Sequence, residues 1–288
     1  MNILRSRPKS RQEKKRQIQV ARRSLKVMAG TFVLTVSLIL CMIFVPKKNA
    51  LDTLQKREAK AKETGKMTEE QLAKQKANGS ESEDTICTAD LTDDEILEGL
   101  NLLLIGDSIA VDVTDDFYEM FPNSVSDTKI GRITSLGKQV LDSYIDEKKW
   151  EGEGVIFASL SNSPINGELE DIREKIGKDM PLFLTTVRIP HDTFEEESNS
   201  KIKKFVEENN HTYLIDWYAA SEGHDEYFDA DDTHLLSAGA KAYANCIKEA
   251  VLDAYKKENI EIPKSRLVSS TDTSTDSSND SSTDTSTE

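Results

Sequence analysis

The chain of 288 residues is long enough for one substantial domain with extensions, and its charge is distributed unevenly. The formal net charge is −15, yet ten Lys and Arg against one Glu give residues 1–26 a charge of +9, which leaves −24 for the rest. So acidic a body excludes nucleic acid as a partner, because nucleic-acid binding requires a basic surface opposite the phosphates.

The first predicted element is an apolar segment that follows the basic N-terminus. Residues 27–45 form a run of 19 residues without a charge, and Lys47 and Lys48 follow it. A helix of this length extends about 28 Å, close to the roughly 30 Å hydrocarbon core of a bilayer. Because Lys and Arg accumulate on the cytoplasmic side, residues 1–26 are expected in the cytoplasm and the remainder outside it. We predict a retained single-pass signal anchor in the cell membrane, since Lys48 makes a poor signal-peptide cleavage site.

Composition indicates extensions on both sides of the folded domain. Residues 46–90 are rich in Lys, Glu, Gln and Ala and have almost no large apolar side chains, so they are predicted to form an extracytoplasmic stalk. Residues 261–288 are dominated by Ser, Thr and Asp and are predicted to be disordered, because such a segment cannot offset its chain entropy by burial. The folded domain is therefore expected over residues 91–260.

Within this domain, apolar runs alternate with amphipathic stretches. The candidate strands are 101–105, 124–130, 154–159, 181–187 and 212–216. The candidate helices are 109–121, 133–147, 167–177, 196–209 and 237–256. This alternation predicts a three-layer α/β/α fold with a five-stranded parallel sheet. Ligands bind beyond the carboxyl ends of such strands, so Ser108, Gly131, Asn162 and the loop 228–236 are expected to converge at one edge.

Two short motifs carry the chemistry. Gly106-Asp107-Ser108 directly follows an apolar run, and Asp231-x-x-His234 lies near the end of the domain. A serine becomes a nucleophile only when a base accepts its proton and a third group orients that base. We therefore predict a catalytic triad in which Ser108 is the nucleophile, His234 the base and Asp231 the orienting acid.

Three groups are candidates for stabilising an oxyanion. Ser108 would present its backbone amide at the start of a helix, where the dipole favours negative charge, unless it serves only as a helix cap. Gly131 permits close backbone approach to a ligand, although it could equally be an ordinary turn residue. Asn162 could donate its side-chain amide to the oxyanion, or it could cap its own loop.

Four further residues leave alternatives open. Cys87 and Cys246 would lie in an oxidising compartment, where they could form a disulfide or remain free, partly buried thiols. Arg132 and Arg188 could bind substrate or could pair with the many local acids. The spacing of the remaining histidines fits no zinc pattern, so we expect neither a metal nor a cofactor.

Residues 101–256 resemble the SGNH (GDSL-type) hydrolase family, and most closely the extracytoplasmic domain of peptidoglycan O-acetyltransferases. The resembling segments are Ile105-Gly106-Asp107-Ser108, Lys129-Ile130-Gly131-Arg132, Thr186-Val187-Arg188-Ile189-Pro190, Ile215-Asp216-Trp217-Tyr218 and Asp231-Asp232-Thr233-His234-Leu235. The resemblance implies the same triad, Ser108, Asp231 and His234. It also implies an oxyanion hole formed by Ser108, Gly131 and Asn162.

One departure from the family pattern stands out. Leu160 occupies the position where the third family block usually has the glycine of Gly-x-Asn, and its side chain could crowd the oxyanion pocket. That substitution favours the alternative of a non-catalytic envelope-binding or scaffold protein that retains the fold. The intact Ser, Asp and His favour an enzyme.

The resemblance implies a membrane-anchored acyltransferase or acetylesterase. Its substrate would be the O-acetyl groups of a peptidoglycan-like envelope polysaccharide, and its intermediate an acylated Ser108. Resembling transferases usually join such a domain to a multi-spanning acyltransferase that brings acetyl groups across the membrane. Here a separate membrane partner could supply the acyl group, or the enzyme could only remove esters.

Overall fold

The structure, a computed structural model, describes residues 55–56, 59 and 84–267. The predicted membrane span at 27–45 and the chain from 268 onward lie outside the described residues. Among the residues that are described, no helix has the length and apolar character needed to cross a bilayer. Residues 84–267 form a continuous segment of strands and helices.

A parallel sheet forms the centre of this segment. Its five strands are β2 (Leu102–Gly106), β3 (Val125–Thr128), β4 (Gly154–Ala158), β5 (Leu182–Thr185) and β6 (Thr212–Ile215). Across the sheet their order is β3-β2-β4-β5-β6, and every neighbouring pair is parallel. The five-stranded parallel sheet predicted from the sequence is therefore confirmed.

Helices cover both faces of the sheet. They are α1 (Asp93–Gly99), α2 (Ser108–Met120), α3 (Thr134–Asp146), α4 (Glu168–Ile176), α5 (Glu195–Glu208), α6 (Trp217–Ala220) and α7 (Ser237–Glu258). Side chains alternate along a strand, so Leu102 and Leu104 join the core formed with α1, α2 and α7, while Leu103 and Ile105 join the core formed with α3, α4 and α5. Because both faces are covered, every residue of β2 and β4 is buried, and the predicted three-layer α/β/α architecture is confirmed.

The strand order creates a crevice at the carboxyl end of β2. From β2 the chain first adds β3 on one side and then β4 on the other, and such a reversal separates the loops that follow the strands. Ser108 follows β2, Gly131 follows β3 and Asn162 follows β4. Since neighbouring strands are about 4.8 Å apart, the three residues emerge side by side at one edge of the sheet.

A short antiparallel ribbon extends the ordered segment beyond residues 91–260. It pairs β1 (Thr85–Cys87) with β7 (Glu261–Pro263). Ile262 of β7 is fully buried in the core formed with α1 and α7. Strands of three residues carry no measurable period in a sequence, so composition alone assigns these residues to the stalk and the tail.

Candidate active site

Ser108 is the first residue of α2, and only Asp107 separates it from the buried strand β2. Gly106 allows this sharp turn, because a Cβ there would lie 2.1 Å from the Cβ of Ala110. Asp107 caps the helix, since its Oδ1 accepts a hydrogen bond from the Ile109 amide at 3.0 Å. The Ser108 hydroxyl is thereby held at a helix N-terminus, where the first amides lack partners within the helix and the dipole favours negative charge.

His234 and Asp231 continue a chain of hydrogen bonds from Ser108. His234 Nε2 lies 3.0 Å from Ser108 Oγ, and His234 Nδ1 lies 2.7 Å from Asp231 Oδ2. Asp231 Oδ1 also accepts the backbone amide of His234 at 2.9 Å, so both oxygens of this carboxylate hold the histidine. The structure thus brings together the three residues predicted as a triad. His234 can take the proton of Ser108 while Asp231 holds the ring in the required tautomer.

The environment of Asp231 favours its ionised form. Partial burial acts to raise its pKa, but the hydrogen bonds from the side chain and backbone of His234 outweigh burial and leave the pKa of Asp231 below its usual value. Asp231 is therefore an anion at neutral pH. An anion in this position stabilises the imidazolium that forms when His234 accepts a proton.

The loop that carries the acid and the base of the triad is closed by its own backbone. Phe228 and Leu235 form an antiparallel bridge, and the Asp229 amide donates to the His234 carbonyl at 2.8 Å. The side chains of Phe228 and Leu235 are buried in the core and anchor the loop. The Leu235 amide donates to Oδ2 of Asp112 at 3.1 Å, which ties the loop to the helix that begins at the nucleophile.

Gly131 and Asn162 flank the nucleophile from the two neighbouring strands. Gly131 has a φ of +68°, and a Cβ there would meet no atom within 4 Å, so a ligand can approach its backbone amide. Asn162 is exposed, and its Nδ2 lies 3.4 Å from the Ser161 hydroxyl. Together with the Ser108 amide, these groups lie after three neighbouring strands at one edge of the sheet, and their role as oxyanion donors stays a prediction.

Two polar residues without an assigned role in the sequence analysis join the nucleophile to the Asn162 loop. Asp107 is fully buried, and its Oδ2 accepts hydrogen bonds from the Ser161 amide at 3.1 Å and the Ser161 hydroxyl at 2.5 Å. Burial raises the pKa of Asp107, and the bonds from Ser161 and Ile109 only partly oppose this rise. The motif around Ser108 could have drawn attention to Asp107, but no sequence signal identifies Ser161 as its partner.

Leu160 packs in the core rather than in the oxyanion pocket, which corrects the expectation drawn from the family pattern. Its side chain is fully buried in the core cluster that includes Phe157 and Ile165. Ser161, which follows it, contacts Asp107 next to the nucleophile, and Asn162 contacts the Ser161 hydroxyl. The leucine at this position therefore contributes to packing of the core.

Arg132 is buried and makes structural contacts at the ends of two strands. Its side chain is 5% exposed and pairs with Asp127, Nη2 to Oδ1, at 2.5 Å. Its Nη1 donates to the carbonyls of Gly106 at 3.0 Å and of Asp127 at 2.6 Å. These bonds hold the ends of β2 and β3 together, so the alternative of pairing with a local acid applies.

Arg188 is half-buried at the rim of the site. Its Nη1 donates to the Ser221 carbonyl at 3.3 Å, and its guanidinium carbon lies 4.6 Å from the centre of the Phe228 ring. A guanidinium over an aromatic face is an attractive contact. Arg188 therefore supports an anchor of the catalytic loop, and its role in substrate binding stays a prediction.

Cys87 and Cys246 are both free, partly buried thiols, which is the second of the two alternatives that the sequence left open. Thr88, next to Cys87, donates its hydroxyl to the Tyr255 carbonyl at 2.6 Å, so this end of β1 lies against the last turns of α7. Cys246 precedes Tyr255 by nine residues, which is about 13 Å along a helix. A disulfide requires Cα atoms roughly 4.4–6.8 Å apart, so this distance along α7 agrees with two free thiols.

No group of three or more His, Cys, Asp or Glu side chains within residues 84–267 is arranged to hold a metal ion. The histidines outside the triad each contact a single carboxylate. The pairs are His191 with Asp232 at 3.2 Å, His211 with Glu258 at 2.7 Å and His224 with Glu226 at 2.8 Å.

Comparison with known proteins gives matches both in sequence and in structure. Over 146 residues, 50% of this chain, the sequence is 34% identical to O-acetyltransferase OatA of Staphylococcus aureus (strain NCTC 8325 / PS 47), and it covers 24% of that protein. The chain thus spans about a quarter of the length of the curated relatives it matches. No family model matches the chain.

Among the structural matches is the C-terminal catalytic domain of Streptococcus pneumoniae peptidoglycan O-acetyltransferase A (OatA), solved with a methylsulfonyl adduct. It has a TM-score of 0.50 and 20% identity, and the match covers 58% of this chain and 99% of that domain. At this identity the match establishes the fold. The resemblance inferred from the motifs is confirmed: half of the chain is similar in sequence to an O-acetyltransferase, and its fold is similar to that of the catalytic domain of a peptidoglycan O-acetyltransferase.

Proposed function

We propose that this protein is a membrane-anchored, extracytoplasmic serine enzyme that transfers or removes O-acetyl groups on a peptidoglycan-like polysaccharide. The observation that carries the proposal is the hydrogen-bonded chain from Ser108 to His234 at 3.0 Å and from His234 to Asp231 at 2.7 Å. The similarity to an O-acetyltransferase supports acetyl as the transferred group. The similarity to a domain of a peptidoglycan O-acetyltransferase supports peptidoglycan as the acceptor class.

The first half-reaction acylates Ser108. Its Oγ attacks the carbonyl carbon of an acetyl ester while His234 Nε2 takes the hydroxyl proton. Negative charge develops on the carbonyl oxygen, where the amides of Ser108 and Gly131 and the side chain of Asn162 are the proposed donors. The intermediate collapses, the alcohol of the donor leaves with the proton from His234, and acetyl-Ser108 remains.

The second half-reaction decides between transferase and esterase. A sugar hydroxyl or a water molecule gives its proton to His234 and attacks the acetyl-enzyme. The product ester or acetate leaves as Ser108 regains its proton. Transfer requires that the acceptor sugar occupy the site and exclude water, whereas hydrolysis requires only access of water.

The proposed location follows from the uncharged segment 27–45 and its basic flank. A transferase outside the cell membrane needs an acyl donor on that side. We propose a multi-spanning membrane acyltransferase as the partner that delivers the acetyl group. Without such a partner the same site would act as an acetylesterase.

A non-catalytic scaffold is the weaker alternative. The feature that favoured it was Leu160 at a position where the family usually has glycine. Burial of Leu160 in the core removes that argument, while the bonded Ser108, His234 and Asp231 remain.

Acetate release and acetyl transfer test the proposal on the same substrate class. Wild type and Ser108→Ala would be compared for release of acetate from O-acetylated peptidoglycan and for transfer from an aryl acetate to peptidoglycan fragments. Ser143→Ala removes a hydroxyl that only bonds the carbonyl of Val140 in α3 and serves as the matched control. Activity in wild type and the control but not in Ser108→Ala is expected. A wild-type enzyme inert in both assays would contradict the proposal.

A further inference from the structure

We propose that Asp107 and Ser161 are positioning residues that orient the Asn162 side chain towards the oxyanion through a relay of hydrogen bonds. This inference rests on the proposed function, in which Asn162 donates to the oxyanion. It concerns two side chains that do not touch the reacting atoms. Their effect on catalysis would therefore pass through Asn162.

The relay begins at a buried carboxylate. Asp107 is fully buried and lies next to the nucleophile in the chain. Its Oδ1 accepts the Ile109 amide at 3.0 Å, and its Oδ2 accepts the amide and hydroxyl of Ser161 at 3.1 Å and 2.5 Å. One carboxylate therefore holds both the start of α2 and the loop after β4.

The relay continues through the Ser161 hydroxyl. A hydroxyl has one proton to donate and two lone pairs. Ser161 donates its proton to Asp107, so a lone pair is turned to Nδ2 of Asn162 at 3.4 Å. The Asn162 amide has two N–H groups. One points at Ser161, which leaves the other to donate to the oxyanion.

The chemistry of the relay requires an acceptor-only group at position 107. Asp107 is the acceptor in all three of its hydrogen bonds. Two of the donors are backbone amides, which cannot become acceptors. An ionised carboxylate accepts at both oxygens, whereas an asparagine has a donor on one side. In Asp107→Asn, whichever way the new amide turns, its NH₂ group faces a backbone N–H, so the contact at Ile109 or at Ser161 is lost.

A double-mutant cycle on a soluble aryl acetate tests the relay. Asn162→Ala is expected to lower kcat by about 10²–10³, the usual loss for one oxyanion donor. Ser161→Ala is expected to lower kcat by about tenfold to a hundredfold with little change in KM, because the donor is displaced rather than removed. If Ser161 acts through Asn162, the double variant should have the kcat of Asn162→Ala within about twofold.

Two further variants separate positioning from a structural role. Ser161→Thr keeps the hydroxyl and should recover most of the kcat that Ser161→Ala loses. Ser163→Ala is the control in the same loop, because its hydroxyl bonds Thr134 rather than Asp107. Any small loss of kcat in Ser163→Ala should multiply with the loss of kcat in Asn162→Ala.

The outcomes decide the inference. A Ser161→Ala loss that multiplies fully in the Asn162→Ala background, or a kcat of either single variant equal to wild type, would overturn it. Failure of the proposed function looks different, because then Ser108→Ala would keep the wild-type rate. A non-additive cycle with rescue by Ser161→Thr would support the relay.

Discussion

The two halves of the site are held in different ways. The nucleophile half is enclosed by the core, with Asp107 fully buried and Ser108 5% exposed. The half that carries the base is a surface loop, in which the side chains of Asp231 and His234 are 49% and 21% exposed. Contacts across the sheet position the nucleophile, whereas bonds within the loop position the base. Changes to the buried core beside the nucleophile should therefore cost stability, while a change to the half-exposed Asp231 should cost activity alone.

Two carboxylates of the site, Asp107 and Asp231, illustrate this difference. Burial raises the pKa of Asp107, which the fold tolerates because three donors surround the carboxylate. Partial burial of Asp231 is outweighed by the bonds from His234, which lower the pKa of Asp231. Asp107 thus belongs to the framework of the site, and Asp231 to its chemistry.

The largest expected effect is that of Asp231→Asn in the loop. The asparagine no longer favours the tautomer of His234 that accepts the Ser108 proton, so kcat should fall by about 10⁴. The melting temperature should stay close to that of wild type, because the side chain is half exposed. Kinetics on an aryl acetate and thermal unfolding measure the two effects.

Asp232→Asn is the matched control for that prediction. The neighbouring carboxylate contacts the exposed His191 at 3.2 Å and has no contact with the triad histidine. The kcat of Asp232→Asn should stay near that of wild type. Equal losses in the two variants would mean that the charge of the loop, rather than the orientation of His234, sets the rate.

The next effect concerns the core next to the nucleophile. Leu160→Ala removes a fully buried side chain and should lower the free energy of unfolding by about 2–5 kcal/mol, as other large-to-small core changes do. Because Leu160 lies outside the oxyanion pocket, kcat of the folded fraction should change little. Chemical denaturation measures the loss, with the exposed Leu136→Ala as a control expected within about 0.5 kcal/mol of wild type. A faster enzyme that accepts larger acyl groups would contradict this account.

A smaller loss of stability is expected from Gly106→Ala. The added Cβ would lie 2.1 Å from the Cβ of Ala110, so β2 or α2 must shift, at a cost of about 1–3 kcal/mol. The shift should also displace Ser108 and lower kcat. Ala110→Gly in the same chain removes the opposing atom and should restore part of both losses. If Gly106→Ala matched wild type in unfolding and in kcat, the tight turn would not position the nucleophile.

The smallest effect is expected at the two thiols. Cys87→Ser and Cys246→Ser should unfold like each other and close to wild type, because no disulfide is lost. Mass mapping of unreduced protein after alkylation should find both cysteines modified. Burial raises the pKa of Cys246 to about 11, so its alkylation near neutral pH should be slow in the folded protein and fast in denaturant. A linked peptide pair would contradict the two free thiols.

The main elements of the fold could be predicted because each leaves a periodic or composition signal. The runs at 102–106 and 154–158 are apolar at nearly every position, as fully buried parallel strands require. The ribbon of β1 and β7 could not be predicted, since its strands of three residues pair across the whole domain. Pairing between such distant segments depends on the tertiary structure.

The triad could be predicted because its residues lie in two compact motifs. The contacts of individual side chains could not be predicted. Leu160, Arg132 and Ser161 lie within or near motifs, yet the sequence does not indicate whether each faces the core, a neighbouring acid or the site. The direction of each side chain depends on how the loops after β2, β3 and β4 pack against one another.

The central claim is that Ser108 carries the acyl group, and mass spectrometry of the acyl-enzyme tests it most directly. Protein mixed with an aryl acetate would be quenched in acid and digested, and the peptide containing Ser108 would be examined in wild type and in Ser108→Ala. We predict the mass increment of one acetyl group on Ser108 in wild type and none anywhere in the variant. Acetylation of a different residue, or turnover by Ser108→Ala at the wild-type rate, would contradict the account.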